Sequence, residues 1–314
     1  MAPEKKILFG IGGPQIHDHL PIDQEEVLAY IKRAEELGFH SVWVQEQAGF
    51  NAAAGALEGV TLLSYAAAVT RRIRLGMAVF LITFRNPIHL AKSLASLDQL
   101  SRGRLIVGVG LGAYTSLYNA YGLSADRRVA RFNEALTLIQ KLWTEEDLTF
   151  TGEFWQLKNA NLLPKPFQKP RPPIWFGGGA PAALRRAARR GDGFIGAGSS
   201  STADFKSHVQ AIRQELEAAG KDPAEFPISK RVYLAVDPDR ERAAKRLKEW
   251  FGIYYRRAEM AERVSVWGGP EECVEQLQEI ISAGARLVLL NPVFDMTEQM
   301  ELLARDVVPR LSNR

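Results

Sequence analysis

Apolar positions along this chain come in two alternating rhythms. Short runs of Ile, Val, Leu and Phe bounded by glycine or charge read as strands covered on both faces. Between them, apolar residues three and four apart read as amphipathic helices. The pattern is clearest from 73 to 112. Ile73 to Ile82 is a nearly unbroken apolar run, and Pro87 opens a helix striped by Ile88, Ala91, Leu94, Ala95, Leu97 and Leu100. Ser101-Arg102-Gly103-Arg104 turns the chain into a second apolar run, Leu105 to Val109. This is a strand–helix–strand crossover.

The same alternation extends both ways. Ahead lie a strand at Ile7 to Gly12, a helix from Asp23 to Leu37 closed by Gly38, a strand at Ser41 to Gln45 and a helix from Leu57 to Thr70. Behind lie an aromatic-rich lid segment, Tyr114 to Leu123, a long helix, Asp126 to Leu142, a hairpin, Leu148 to Leu157, and a proline-rich stretch, Lys165 to Pro173. Strands then follow at Ile174 to Phe176, Gly193 to Ala197, Ile228 to Val236 and Leu287 to Asn291. Helical sequence runs from Pro181, up to Ala219, over Arg240 to Arg257, over Glu271 to Ala283, and over Met296 to Leu311. Eight strands, each followed by helical sequence, predict an α/β fold: a closed (β/α)8 TIM barrel with an insertion after strand 4, as a single domain over 1–314. An open doubly wound sheet is the alternative. In a barrel, His17, Glu46, the residues after Ala78, the corner from Gly110, Gly177 to Gly179, Arg231 and Asn291 ring one pocket at the C-terminal ends of the strands.

Glycines mark two places in this scaffold. Gly108, Gly110 and Gly112 recur at the strand period and leave one face without side chains. That row expects either tight packing or, the favoured reading, a flat ligand against bare backbone. Gly177-Gly178-Gly179-Ala180-Pro181 ends a strand and opens a helix, so free N–H groups and the positive end of a helix dipole converge. Three glycines exceed what a turn needs, and the corner is expected to hold a phosphate.

With 46% hydrophobic and 24% charged residues the 314-residue chain has the composition of a folded globular protein. A net charge of +4 with no basic run among aromatics gives no reason to expect nucleic acid. One cysteine, Cys273, allows no intrachain disulfide and no Cys/His metal spacing. No export signal or membrane-length apolar run is present, and a cytoplasmic enzyme is expected. His17-Asp18-His19 with Glu46 is too compact to enclose a metal; His17 or His19 fits a general acid better. Glu46 is expected either as a proton donor or positioning carboxylate, or in a salt bridge to a neighbouring arginine. The arginines Arg127, Arg128, Arg131, Arg185, Arg186, Arg189 and Arg190 are expected mostly on solvated helix faces. His40, His89 and His208 fall away from the expected mouth. No nucleophile–base or paired-carboxylate arrangement emerges, so a cofactor is expected to bring the chemistry.

Several motifs together, Arg74-Leu-Gly-Met-Ala-Val, Arg85-Asn-Pro, Leu97-Asp-Gln-Leu-Ser-Arg-Gly-Arg, Gly108-Val-Gly, Pro173-Ile-Trp-Phe-Gly-Gly and Gly191-Asp-Gly-Phe, resemble the bacterial-luciferase-like flavin-dependent oxidoreductases across essentially the whole chain. The resemblance implies a (β/α)8 barrel, commonly a homodimer, binding coenzyme F420 or, alternatively, FMN; the chain looks closer to the deazaflavin branch. By position it implies a non-prolyl cis bond at Ala78-Val79 behind the cofactor ring, Leu111, Gly112 and Ala113 beside it, and Gly177, Gly178 and Gly179 at its phosphate. Gln47 stands where some members carry a catalytic histidine, and Ala113 where sugar-phosphate dehydrogenases carry a glutamate, which speaks against sugar-phosphate oxidation. The expectation is hydride transfer between coenzyme F420 and a small organic substrate. An FMN monooxygenase is the alternative, since the deazaflavin lacks the nitrogen that makes reduced FMN react readily with oxygen. A cofactor-binding protein without turnover is the third reading.

Overall fold

The computed structural model describes residues 6–47, 55–112 and 117–312. Eight parallel strands form its centre: β1 (Leu8–Gly12), β2 (Ser41–Val44), β3 (Arg74–Met77), β4 (Leu105–Gly110), β5 (Ile174–Gly177), β6 (Gly193–Gly196), β7 (Ile228–Val236) and β8 (Leu287–Pro292). Each pairs with its neighbours in sequence, β4 with β5 and β8 back with β1, so the ring of eight strands closes on itself. This is the (β/α)8 barrel, with helices packed around it. Phe9, Ile11, Val42, Val44, Leu75 and Met77 point outward to those helices and are buried. Local sequence sets the helix starts: Asp23 accepts from the Glu25 N–H at 2.9 Å, Asn86 accepts from the Ile88 N–H at 2.9 Å, and Ser201 and Asp204 cap one another's backbone.

The barrel interior is plugged from below by two indoles. Trp43 and Trp175 lie with ring centroids 5.9 Å apart among Ile106, Ile195, Leu287 and Leu289. Their size is matched by glycine on the adjoining strands. A Cβ on Gly193 would come within 2.7 Å of the Trp175 ring and one on Gly10 within 2.8 Å of Trp43 Nε1, while one on Gly76 would overlap Trp43 outright. The Trp43 N–H is satisfied by Ser41 Oγ at 2.7 Å.

The third apolar run is not one strand: it breaks where the resemblance implied a non-prolyl cis bond, and that bond is present. Its strand stops at Met77, the Ala78–Val79 peptide is cis, Phe80–Leu81 resumes pairing beside β4, and Ile82–Phe84 makes a 3-10 turn. The bare faces of β4 and β5 explain where this bulge goes. A Cβ on Gly108 would overlap the Met77 carbonyl, one on Gly110 would meet Val79 at 2.6 Å, and one on Gly177 would meet it at 3.0 Å. The glycine row is therefore filled by the chain's own bulge, and a flat ligand can reach only what the bulge presents. The expected helix over Arg240 to Arg257 ends at Tyr254, and a short helix the sequence did not predict, Met260–Val264, follows. An unforeseen strand, Ser265–Gly268, follows and extends the sheet beside the end of β7.

Between β4 and β5 the chain carries the helix Arg128–Thr144 and an antiparallel hairpin, Leu148–Thr151 with Gln156–Ala160. Glu134 ties the hairpin turn to the helix by accepting the N–H groups of Glu153, Phe154 and Trp155, each at 2.9 Å. The proline-rich stretch is pinned by Gln168, whose side chain and backbone both donate to the buried Asp98. Among the described residues no helix is long and apolar enough to cross a membrane.

Gly76→Ala should destabilise the fold by about 2–3 kcal/mol in urea denaturation, because a methyl is forced into the Trp43 ring. Gly252→Ala, with its nearest neighbour 3.7 Å away on the helix Arg240–Tyr254, should be neutral or stabilise by up to about 1 kcal/mol.

Candidate active site

Strand register sorts the barrel mouth into two unlike halves. On the β3 to β5 side the upper inward positions are Ala78, Gly110 and Gly177, and the half-buried Ala78 and Val79 lie on the bulge between buried Met77 and Phe80. This half is smooth and apolar. On the β7, β8, β1 and β2 side the inward positions carry bulk and polarity: Arg231, Tyr233, Asn291, Trp43 and Gln45.

The smooth half continues into the glycine corner. Gly177, Gly178 and Gly179 lead into the helix Pro181–Arg190, whose N-cap Ala180 provides no side-chain cap for the first turn. Gly178 has φ +135°, a conformation suited to glycine. The ring of His208 lies against the corner: a Cβ on Gly179 would come within 2.7 Å of it, and His208 Nδ1 is buried without a hydrogen-bond partner. Burial holds the His208 pKa below its ordinary value. The sequence placed His208 away from the mouth; helix Thr202–Ala218 packs against Pro181–Arg190 and brings it there instead. Uncapped amides, a cradle that a Cβ would fill and an orphaned donor–acceptor atom together fit a cofactor phosphate.

Glu46 proves to be a brace. Its carboxylate, 7% exposed, takes Arg85 Nε at 2.9 Å and Nη2 at 2.7 Å and also accepts the Leu81 N–H at 3.3 Å. Arg85 bonds Glu58 as well, at 2.7 Å. Burial works against the Arg85 charge, but the two carboxylates outweigh it and hold its pKa above the usual value. Both carboxylate oxygens are occupied and Glu46 does not line the cavity described below, so the expectation of a proton donor gives way to the salt bridge. The pair anchors the chain just past the bulge.

The second half opens on a cavity of about 570 Å³. Gly12, Gln15, His17, Gln45, Trp250 and Asn291 are among its walls. His17 is buried and held by Nε2 on the Pro14 carbonyl at 3.1 Å. Because a carbonyl only accepts, Nε2 carries the proton of the neutral ring and Nδ1 is left as its basic atom. His19 is exposed on the same loop and bonded to Asp18 at 2.9 Å, an interaction that raises its pKa. Gln15, which carried no signal in the sequence, clamps the Gln45 backbone, accepting its N–H at 2.7 Å and donating to its carbonyl at 2.8 Å.

Between the halves, Arg231 bonds the Tyr233 hydroxyl, and the Tyr233 and Tyr255 hydroxyls meet at 2.5 Å. Lys230 points the other way, fully buried, and donates to the carbonyls of Ser200 at 2.8 Å, Arg231 at 3.1 Å and Ala197 at 2.5 Å. Burial, reinforced by Arg231, pushes its pKa down to about 7. Leu111 and Gly112 follow β4 beside the bulge, Gly112 with φ +74° against Leu81, and Ala113 and Tyr114 lie outside the described residues. The arginines are mostly engaged within the fold: Arg127 pairs with Glu153, Arg131 stacks on Trp155, and Arg185 pairs with Glu215. Cys273 is buried, its pKa pushed up to about 12 by that burial. Among the described residues no cluster of three or more His, Cys, Asp or Glu is arranged to hold a metal.

The luciferase-like monooxygenase family model matches residues 8–287. An F420-dependent glucose-6-phosphate dehydrogenase from Kineococcus radiotolerans is 30% identical over 89% of this chain and 90% of its own length. A monooxygenase from Streptomyces bottropensis superposes with a TM-score of 0.80 at 27% identity, covering 97% of this chain and 99% of that one. An F420-dependent secondary alcohol dehydrogenase, solved in complex with an F420-acetone adduct, shares the fold with a TM-score of 0.83 at 21% identity over 96% and 98% of the two chains.

Lys230, facing away from the mouth, gives the fold's stability a pH signature. The unfolded chain keeps this proton up to the ordinary lysine value of 10.5, whereas the native state releases it near 7. Unfolded protein therefore binds more protons in that window, and stability rises as pH climbs through it. Urea denaturation at steps from pH 7 to pH 10 should show the wild type gaining on Lys230→Met; parallel curves would remove the assignment.

Proposed function

The chain belongs to the luciferase-like monooxygenase family, and on that premise we propose that it is an oxidoreductase moving a hydride between coenzyme F420 and a small organic substrate. The observation that carries this reading is the division of the mouth. The smooth half, Ala78 and Val79 with Leu111 and Gly112, suits one face of a flat tricyclic ring, and Gly177, Gly178 and Gly179 with His208 suit the phosphate of its tail; Ala113, outside the described residues, is added beside the ring by the family resemblance alone. The polar half leaves a separate chamber over the opposite face for a second molecule. Dehydrogenase relatives at 29–30% identity, named for F420 dependence, support the choice of cofactor.

When bound, coenzyme F420 supplies the ring carbon that exchanges a hydride with substrate. The protein's own residues do the rest. The bulge, braced through Leu81 by the Glu46–Arg85 pair, fixes the plane against which the ring lies. His17, within the chamber wall, moves the proton: in alcohol oxidation Nδ1 takes the hydroxyl proton, and in carbonyl reduction the protonated ring returns it. Trp43 and Trp175 seal the barrel below and keep water from entering by that route. The same reading takes the protein as one domain over 1–314, homodimeric and cytoplasmic, supported by the family resemblance and by a lone buried cysteine.

Parallel titration of the purified protein with coenzyme F420 and FMN tests the reading. Tight binding of F420 with weak binding of FMN is expected; preferential binding of FMN would replace it with oxygen-using monooxygenation. His17→Asn should lower turnover by about 10²-fold or more while leaving F420 affinity unchanged. Binding of F420 without turnover of any substrate would instead favour a carrier without catalysis.

A further inference from the structure

The charges around the substrate chamber are the reverse of what a phosphorylated substrate needs. Four carboxylates, Asp18, Glu26, Glu249 and Asp295, line it against one guanidinium, Arg246. Arg246 is itself spent: it pairs with Asp295 and lies 3.8 Å over the Phe294 ring. His19 is likewise committed to Asp18. Lys230 and Arg231 do not line the chamber, and the segments 48–54 and 113–116 contain no lysine or arginine. A phosphate would enter a negative field with no unengaged arginine or lysine among the described lining residues to receive it.

What the chamber does offer is neutral. At its floor the Gln45 and Asn291 amides lie against each other, Nε2 to Oδ1 at 3.5 Å, and Asn291 Nδ2 reaches the Pro292 carbonyl at 3.3 Å. Gly12 makes the room for them, since a Cβ there would come within 3.1 Å of the Asn291 amide. The long contact between the amides is weak, so each keeps capacity to bond a substrate oxygen. Trp43 lies beneath them, and Trp250, Tyr254 and Phe294 line the chamber with Ile253, 55% exposed, at the lip.

We propose that this chamber selects an uncharged, largely apolar secondary alcohol or ketone, held at its oxygen by the Gln45–Asn291 amide pair, and rejects sugar phosphates. The chemistry performed on that substrate rests on the F420 reading, but the selectivity does not, so the two are separable by binding measured with and without the cofactor. In the oxidative direction the substrate carbon gives up its hydride to the deazaflavin ring while the hydroxyl proton passes to His17, leaving the ketone and the reduced cofactor.

Isothermal titration of cyclohexanol, cyclohexanone, glucose and glucose 6-phosphate into cofactor-free and F420-loaded protein tests this. At least one of the cyclic compounds should bind about tenfold or more tightly than glucose 6-phosphate. Asn291→Leu should weaken that binding by about tenfold, the worth of one hydrogen bond, with F420 affinity unchanged. Asp295→Asn, which releases Arg246, should raise glucose 6-phosphate affinity. Equal or tighter binding of glucose 6-phosphate by the wild type, or no binding of either cyclic compound, overturns the proposal. If the cyclic compounds bind selectively but F420 does not bind, the selectivity stands and the cofactor reading fails.

Discussion

The close approach of the Met77 carbonyl and the Val79 side chain to β4 and β5 is the contact on which the mouth of this barrel depends. It is possible only because Gly108, Gly110 and Gly177 have no side chains where the bulge lies. One consequence is steric: Ala78 and Val79 become a low step inside the ring of strands. Another is topological, because the chain leaves the bulge toward Leu81 and Arg85, where the buried Glu46 carboxylate catches both. The surface offered to a flat cofactor is thus made by one strand, allowed by two others and anchored by a residue from a fourth.

Around this step the fold distributes size and charge unevenly. Large rings go below, where glycines on adjoining strands receive Trp43 and Trp175, and to the side where the helix Arg240–Tyr254 brings Trp250 and Tyr254. Uncapped backbone amides converge at the glycine corner, whereas the chamber is lined by carboxylates and its one guanidinium, Arg246, is paired with Asp295. An anionic cofactor tail and an uncharged substrate can therefore occupy neighbouring sites without competing for the same groups, which is a separation by field as well as by shape.

Much of this was legible in the residues alone, and the reasons for the exceptions are physical. The alternation of buried strands and amphipathic helices announced the barrel because period and length are local properties. The glycine triplet before Pro181 announced a corner of free backbone N–H groups, because donors at a helix start need no partner from afar. The row Gly108, Gly110 and Gly112 was harder: absence of side chains is visible in sequence, but whether ligand or chain fills the gap depends on a strand thirty residues earlier. Glu46 was balanced between acid and brace until Arg85, across the barrel wall, settled it. His208 and Gln15 carried no local signal at all, since each gains meaning only from what tertiary packing sets beside it, Gly179 for one and the Gln45 backbone for the other.

A crystal structure of the protein with coenzyme F420 bound tests the central claim most directly. The account predicts the deazaflavin ring lying on Ala78 and Val79, its phosphate on the amides of Gly178 and Gly179 beside His208, and the chamber of Gln45 and Asn291 left open over the far face of the ring. A ring seated in that chamber instead, or a phosphate bound away from the glycine corner, would contradict it.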